Sequence, residues 1–205
     1  MYKVTSNSPL DVFTPKNAVS KMTVNQCKIR LLHSFSGKGQ IIENRSYGLI
    51  RIQIFKGDTE TLVSISKKTG LTLPASNSAI SEGGKILFWS APLEWIMAVP
   101  LEKEIELVQQ MSERLSDVLS VVTTITASRT LLELSGSEVR QLLAKGSAVD
   151  FHKYQFVSGN CVTTKFAKIT VMIALVNNQD KFLLLVDRSY AAYFMDYLID
   201  SCFDI

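Results

Sequence analysis

Histidine and cysteine are scarce in this 205-residue sequence, which carries two of the first and three of the second. The cysteines, Cys27, Cys161 and Cys202, lie far apart and form no C-x-x-C. An odd count at such spacing argues against a disulfide framework or a zinc site and fits a reducing compartment. A charge excess is missing too: 22 Lys and Arg stand against 19 Asp and Glu, a formal net charge of +3. The basic residues are scattered, with Lys67-Lys68 the one adjacent pair, so the basic stripe of a nucleic-acid binder is absent. The longest apolar run, "ITVMIALV" at 169–176, falls far short of the ~20 residues a membrane helix needs. Residues 1–19 contain no apolar core of a signal peptide. The expectation is a cytoplasmic protein with neither nucleic acid nor membrane as partner.

Motifs for chemistry are equally thin. There is no G-x-G-x-x-G, no G-x-x-x-x-G-K-[ST] and no H-E-x-x-H. "GKGQ" at 37–40 and "EGGK" at 82–85 read as turns, since neither opens a helix. His33 lies in a strand-like run among Leu31, Leu32 and Phe35. Asp150, His152 and Cys161 could be drawn together as a nucleophilic site, but nothing in their spacing requires it. No catalytic residue and no metal ligand is assigned.

What is present is an ordinary globular composition, 46% apolar and 20% charged. Its mean hydropathy of +0.15 is high enough to suggest that a partner covers some apolar surface. Residues 1–20 read as an extended N-terminal arm, and 21–205 as a single α+β domain. "KIRLLHSF" and "GLIRIQIF" read as strands, the second alternating Ile50, Ile52 and Ile54 with Arg51 and Gln53. Asp58 is placed to cap a helix over 59–69 that Gly70 ends. "ASNSAISEGG" reads as a polar loop and "KILFWS" as a strand. "PLEW" turns the chain into "IMAV". From Pro100, Leu101, Ile105, Val108, Leu115, Val118 and Leu119 fall at helical spacing.

The second part repeats this succession. "VVTTITA" and "TLLEL" are strands, and Ser135 with Glu138 forms a candidate capping box before Val139, Leu142 and Leu143. Residues 162–176 and 181–187 form a hairpin through "NNQD", and a last helix presents Ala191, Phe194, Leu198 and Cys202 on one face. Gly57 matches Gly136, Gly70 matches Gly146, and Pro100 matches the start at 187–189. The pattern predicts two βαββα half-units, roughly 45–119 and 120–205, with sheets backed by helices.

Several stretches also resemble one family. "KILFWSAPLEWIMAVP" keeps Pro92, Glu94 and Trp95 of a Gly-Pro-Asp-Glu-Trp-Leu signature, with Ala91 and Leu93 departing from it. Arg129, Gly136, Gly146, Asp150, His152, Phe156, Gly159, Thr164 and Ala167 follow the family's succession in the second half, as does "DRSYAAYFMDYLIDS". "SPL" at 8–10 has a counterpart in the arm, while Thr124 stands where an Asp is frequent. The sequence resembles the gamma-subunit family of heterotetrameric sarcosine oxidase. That resemblance implies the fold of the folate-binding domain of the glycine-cleavage T-protein. It further implies a small non-catalytic partner of the alpha subunit and the other large flavoprotein subunits. FAD, FMN and NAD are implied for the complex, on those large subunits, with tetrahydrofolate as cosubstrate. The complex would demethylate sarcosine oxidatively to glycine. Two other readings stay open, a free-standing tetrahydrofolate-binding one-carbon protein and a duplicated ligand-binding regulator. Arg129 and Asp150 are the candidates for a folate pocket, and Arg129 is expected to be structural, bridging backbone carbonyls or pairing with Asp150. Leu10, Phe13 and Trp95 are the candidates for partner contact, with the arm laid as a strap across a partner or an exposed sheet edge.

Overall fold

A computed structural model describes residues 8–13, 29–35, 39–177 and 180–203. Cys27, most of the 1–20 arm, Gly37 and part of the "NNQD" turn lie outside the described residues. Eleven strands and four helices are described: β1 (Ile29–Phe35), β2 (Gly39–Asn44), β3 (Tyr47–Ile54), α1 (Thr59–Thr69), β4 (Ala79–Glu82), β5 (Lys85–Ala91), β6 (Glu94–Pro100) and α2 (Glu104–Arg114) come first. They are followed by β7 (Ser120–Thr124), β8 (Arg129–Ser135), α3 (Val139–Gly146), β9 (Asn160–Phe166), β10 (Ile169–Leu175), β11 (Lys181–Asp187) and α4 (Ala191–Cys202).

The strands form two antiparallel sheets, the first in the order β4-β5-β6-β3-β7 and the second β1-β2-β8-β11-β10-β9. The succession β3-α1-β4-β5-β6-α2 recurs as β8-α3-β9-β10-β11-α4, so each unit holds one strand more than βαββα. The extra strand of the first unit, β4, is four residues long with only Ala79 buried, and it lies inside the stretch read as a polar loop. In the second unit the run 162–176 breaks at Ala167-Lys168, both at positive φ (46° and 73°). That two-residue turn carries neither Gly nor Asn, the residues that usually signal it.

The units exchange strands. β2 precedes β3 in the chain but pairs with β8 of the second unit, and β7 precedes β8 but pairs with β3 of the first. At the far edges the sheets meet again: the Ala79 N–H donates to the Gly159 carbonyl at 2.7 Å, and the Cys161 N–H to the Asn77 carbonyl at 2.9 Å. Asn77 and Gly159 both sit at positive φ (57° and 92°), so the two contacts mirror one another.

Side chains alternate across a strand, so a sheet covered on both faces needs apolar residues at every position. That is the case over the centres of both sheets. Between the sheets lie Leu49, Phe88, Ile96 and Ala98 against Leu131, Met172, Leu183 and Leu185. Outside the first sheet, α1 and α2 cover Ile52, Trp95 and Met97 with Ile65, Leu107 and Met111. Outside the second, α3 and α4 cover Leu132, Leu134, Ile173 and Leu184 with Val139, Leu142, Leu143, Phe194 and Leu198. The result is four layers, helices, sheet, sheet, helices, which is why β10 and β11 read as unbroken apolar runs.

Local signals decide the helix ends. Asp58 Oδ1 accepts the Thr61 N–H at 2.9 Å, and Gly70 takes a left-handed φ of 68° with its N–H on Ser66 O. The Thr61 bonds hold the Asp58 carboxyl below its ordinary value. Helix α2 follows a 3-10 turn over Leu101–Lys103 and stops at Arg114, short of the expected Leu119. Leu119 already belongs to the sheet, since its carbonyl accepts the Phe55 N–H at 3.0 Å. The capping box expected before α3 does not form: Ser135 is the last residue of β8, and Glu138 accepts from Ser137 instead. Gly146 ends α3 where a Cβ would meet the Phe166 ring at 2.1 Å.

The described piece of the arm is a plug. The Asp11 N–H bonds Ser8 O and the Phe13 N–H bonds Leu10 O, which closes a 3-10 turn over Asp11–Phe13. Leu10 is fully buried in the helix-side core of the second sheet, and Phe13 packs against that core. The Ser8 hydroxyl donates to the buried Glu43 carboxylate. This corrects the assignment of Leu10 to partner contact, because the chain's own core takes it, whereas Phe13 is only partly buried.

Two outcomes are expected. Truncating a fully buried leucine costs about 2–5 kcal/mol, so Leu10→Ala lowers stability in that range and releases the Asp11 and Phe13 amides to fast hydrogen exchange. A loss below about 1 kcal/mol would show that the plug is not part of the core. Because each unit completes the other's sheet, calorimetry of the full chain shows one transition with an enthalpy ratio of about 1. Residues 45–119 or 120–205 expressed alone give coil-like circular dichroism, and a folded fragment would contradict the exchange argument.

Candidate functional site

The register of β8 against β11 places Arg129 opposite Asp187, and the two form an ion pair at 2.7 Å with both side chains half-exposed. Asp150 is exposed, and its Oδ1 accepts the His152 N–H at 2.9 Å in a local turn. The Arg129–Asp150 pair, one of the two arrangements expected, is therefore not formed. Strand register gives Arg129 a nearer carboxylate, and Asp150 is engaged by its own loop.

Trp95 is buried under α1 and α2, and its ring N–H donates to Pro74 O at 3.1 Å. This corrects its assignment to partner contact. Trp89 lies opposite Trp95 in the β5–β6 pair, and the turn between those strands carries Leu93 at φ 59°. The stretch holding both tryptophans is thus a hairpin whose rings fill the core.

The nucleophilic site drawn from Asp150, His152 and Cys161 is not assembled. His152 is exposed beside Tyr154, whereas Cys161 is buried between the sheets with its thiol donating to Trp89 O at 3.8 Å. Burial pushes the Cys161 thiol up to about 12, so it stays protonated at neutral pH. Burial likewise raises Cys202 to about 11, and its thiol donates to Leu198 O. Among the described residues no three His, Cys, Asp or Glu side chains cluster as a metal site. A depression along the outer face of α1, lined by Thr59, Glu60, Val63, Ser64 and Lys67, is shallow and open.

The buried carboxylates hold the exchanged strands. Glu133 of β8 accepts Asn44 Nδ2 at 2.6 Å and pairs with Lys181 Nζ at 2.6 Å. Asn44 in turn accepts the Ser46 N–H at 2.9 Å, which fixes the crossover from β2 to β3. At the other crossover, the Thr126 hydroxyl donates to Glu104 Oε1 at 2.5 Å and accepts the Leu49 N–H at 2.7 Å. Residue 48 must be glycine for this, since a Cβ there would lie 2.7 Å from the Glu104 side chain. Both carboxylates are taken up by structural partners.

The remaining candidate is a surface. Register pairs Gln53 with Val121 and Arg51 with Thr123, which sets Arg51, Gln53, Phe55, Leu119 and Val121 on one face of the first sheet. That face carries Leu49 into the sheet–sheet core, but beyond Leu49 the second sheet no longer covers it. Phe55 is 55% exposed, Leu119 69% and Val121 41%. Beside them Arg51 has a buried Nε without a hydrogen-bond partner, and Lys56 is exposed. Neither cation has an ion pair among the described residues. The nearby acids are engaged: Asp58 with Thr61, Glu94 with Ser90, and Asp117 with Lys68, whose hydrogen bond holds the Asp117 carboxyl below its ordinary value. The sequence pattern missed this strip because it assigned Leu119 to a helix. The strand itself was legible in "VVTTITA"; the extension of the sheet to Ser120 and Leu119 was not.

Comparison with known proteins bears on what such a chain belongs to. The sarcosine oxidase subunit gamma of Corynebacterium sp. strain P-1 is 29% identical over 133 residues, covering 65% of this chain and 64% of that protein. The subunit gamma of Corynebacterium sp. strain U-96 is 25% identical over 140 residues, covering 67% of each. The first match thus spans less than two thirds of the relative's length. Among solved structures, the heterotetrameric sarcosine oxidase from Corynebacterium sp. U-96, in complex with pyrrole 2-carboxylate, contains a chain of similar fold. Its TM-score is 0.72 at 22% identity, over 81% of this chain and 84% of that one. The glycine cleavage system aminomethyltransferase T from Bartonella henselae shares the fold at TM-score 0.55 and 13% identity, over 79% of this chain and 45% of that one. Residues 56–204 match the family described as "Sarcosine oxidase, gamma subunit family", and that span is most of the sequence: the chain belongs to this family.

Proposed function

We propose that this chain is the small, non-catalytic gamma subunit of a heterotetrameric sarcosine oxidase-like flavoenzyme complex in the cytoplasm. The complex demethylates sarcosine oxidatively to glycine and passes the methyl carbon to tetrahydrofolate. FAD, FMN and NAD belong to the large flavoprotein subunits, and this chain supplies a rigid surface against them. The observation that carries the reading is the uncovered strip of the first sheet. Apolar side chains exposed next to unpaired cations suit a permanent partner better than water. The raised thiols of Cys161 and Cys202 and the bonded carboxylates of Glu104 and Glu133 support a structural role for these buried groups.

Against a free-standing folate-binding protein, Arg129 and Asp150 each have a partner of their own. The half-exposed Arg129–Asp187 pair is of the kind that contributes about 0.2–1 kcal/mol. Arg129→Ala therefore lowers stability by that amount or less. Titration of the full chain with tetrahydrofolate is expected to give no saturable binding before or after the change. Saturable binding lost in the variant would favour the folate reading. The purified chain is further expected to show no flavin absorbance and no amine oxidase activity. Co-expressed with cognate flavoprotein subunits, it elutes as one complex that turns over sarcosine. Stoichiometric flavin in the chain alone would overturn the assignment.

A further inference from the structure

The two units match element for element, yet the sheets differ in strand number. In the second sheet β2 sits beside β8, and β1 adds outside β2 as a sixth strand. In the first sheet β7 occupies the matching place beside β3, and no described strand follows it. We propose that this position outside β7 takes an extended, acidic segment of a large flavoprotein subunit, which completes the first sheet as β1 completes the second. The inference rests on the gamma-subunit reading.

The backbone of β7 is oriented for it. The Phe55 N–H bonds Leu119 O and the Ile125 N–H bonds Leu49 O, in register with the β3–β7 pair. Bonded and non-bonded positions alternate along an antiparallel pair. Residues 119, 121, 123 and 125 therefore bond to β3, while Ser120, Val122 and Thr124 direct N–H and C=O away from it. Unpaired edges attract other strands, and proteins blunt them with bulges, prolines, charges or covering elements. The other edges follow that rule: β4 and β9 are joined through Ala79–Gly159 and Cys161–Asn77, and β1 pairs through an irregular register between Leu31 and His33. β7 has no bulge, no proline and no charge.

Charge selects the occupant. Arg51 and Lys56 stand beside this edge without ion pairs among the described residues, so an incoming strand with carboxylates gains attraction along with main-chain hydrogen bonds. A second copy of this chain, paired β7 to β7, would instead bring the same cations of the two copies together.

Hydrogen exchange of the full chain, alone and in the co-expressed complex, tests this. The Ser120, Val122 and Thr124 amides are expected to exchange fast alone and about tenfold or more slowly in the complex. Thr124→Pro removes one outward N–H but no β3–β7 bond, and is expected to weaken assembly about tenfold. Lys56→Glu, at an exposed site that leaves the fold intact, is expected to slow association and reduce its salt dependence. A complex that forms with these three amides unprotected overturns the inference and leaves the gamma-subunit reading standing. A chain that joins no flavoprotein subunit overturns both. Protection that grows with the concentration of the chain alone points to a second copy and also overturns it.

Discussion

Everything in this fold depends on the exchange of β2 and β7 between the two units. A duplicated βαβββα unit could in principle fold as two separate sheets, each ending at its own first strand. Here β8 would be an edge without β2, and β3 would be an edge without β7. Each edge would expose a row of main-chain donors and acceptors. The crossovers at 45–46 and 125–128 therefore couple the units covalently and through hydrogen bonds. The sheet–sheet core between Leu49 and Leu131 follows from that coupling.

The polar chemistry inside the molecule serves the same end. Burying a carboxylate costs several kcal/mol unless charges or donors compensate it, and breaking such a pair from one side costs more than the pair contributes. Glu133, with Asn44 and Lys181, sits where β2 joins the second sheet. Glu104, with Thr126 and Leu49, sits where the chain leaves β7 for β8. An apolar contact would slide along a strand, whereas Glu133 between two fixed partners, and Glu104 in its chain through Thr126 to Leu49, each accept one register. These groups specify how the halves interlock rather than supplying a reactive centre.

Much of this was legible in the sequence, and the exceptions have physical causes. Asp58 and Gly70 bounded α1 because capping is a local event written within a few residues. Val139, Leu142, Leu143, Phe194 and Leu198 pointed inward as their spacing indicated. The duplication was visible from element order, although the matched glycines differ in role: Gly70 is a left-handed cap, whereas Gly146 is the last residue of α3. Strand exchange was not, because periodicity reports which face of a strand is buried but not which neighbour it pairs with. The Ala167-Lys168 turn was hidden because its positive φ values are held by the strands on either side rather than by residue preference. For the candidate site, Arg129 and Asp150 proved not to pair with each other, each having a partner of its own. That outcome is set by the β8–β11 register, a long-range property. Leu10 was read as adhesive, and it is, but toward its own core: one apolar side chain among polar neighbours does not indicate which surface receives it.

The layering then decides where function can reside. Both sheets are covered on both faces over their centres, so the interior is filled by side chains. The exposed side chains of the outer helices present mostly polar surface. What is left is the periphery of the sheets, and there the duplication has been made unequal. The second sheet gained β1 and the Leu10 plug, which seal its edge and its helix-side core. Among the described residues the first sheet has neither, and it keeps the exposed strip of Phe55, Leu119 and Val121. Two copies of one unit thus diverged by finishing one half and leaving the other open. An unfinished half on a rigid, strand-exchanged body offers a partner a surface whose ordering cost has already been met by folding.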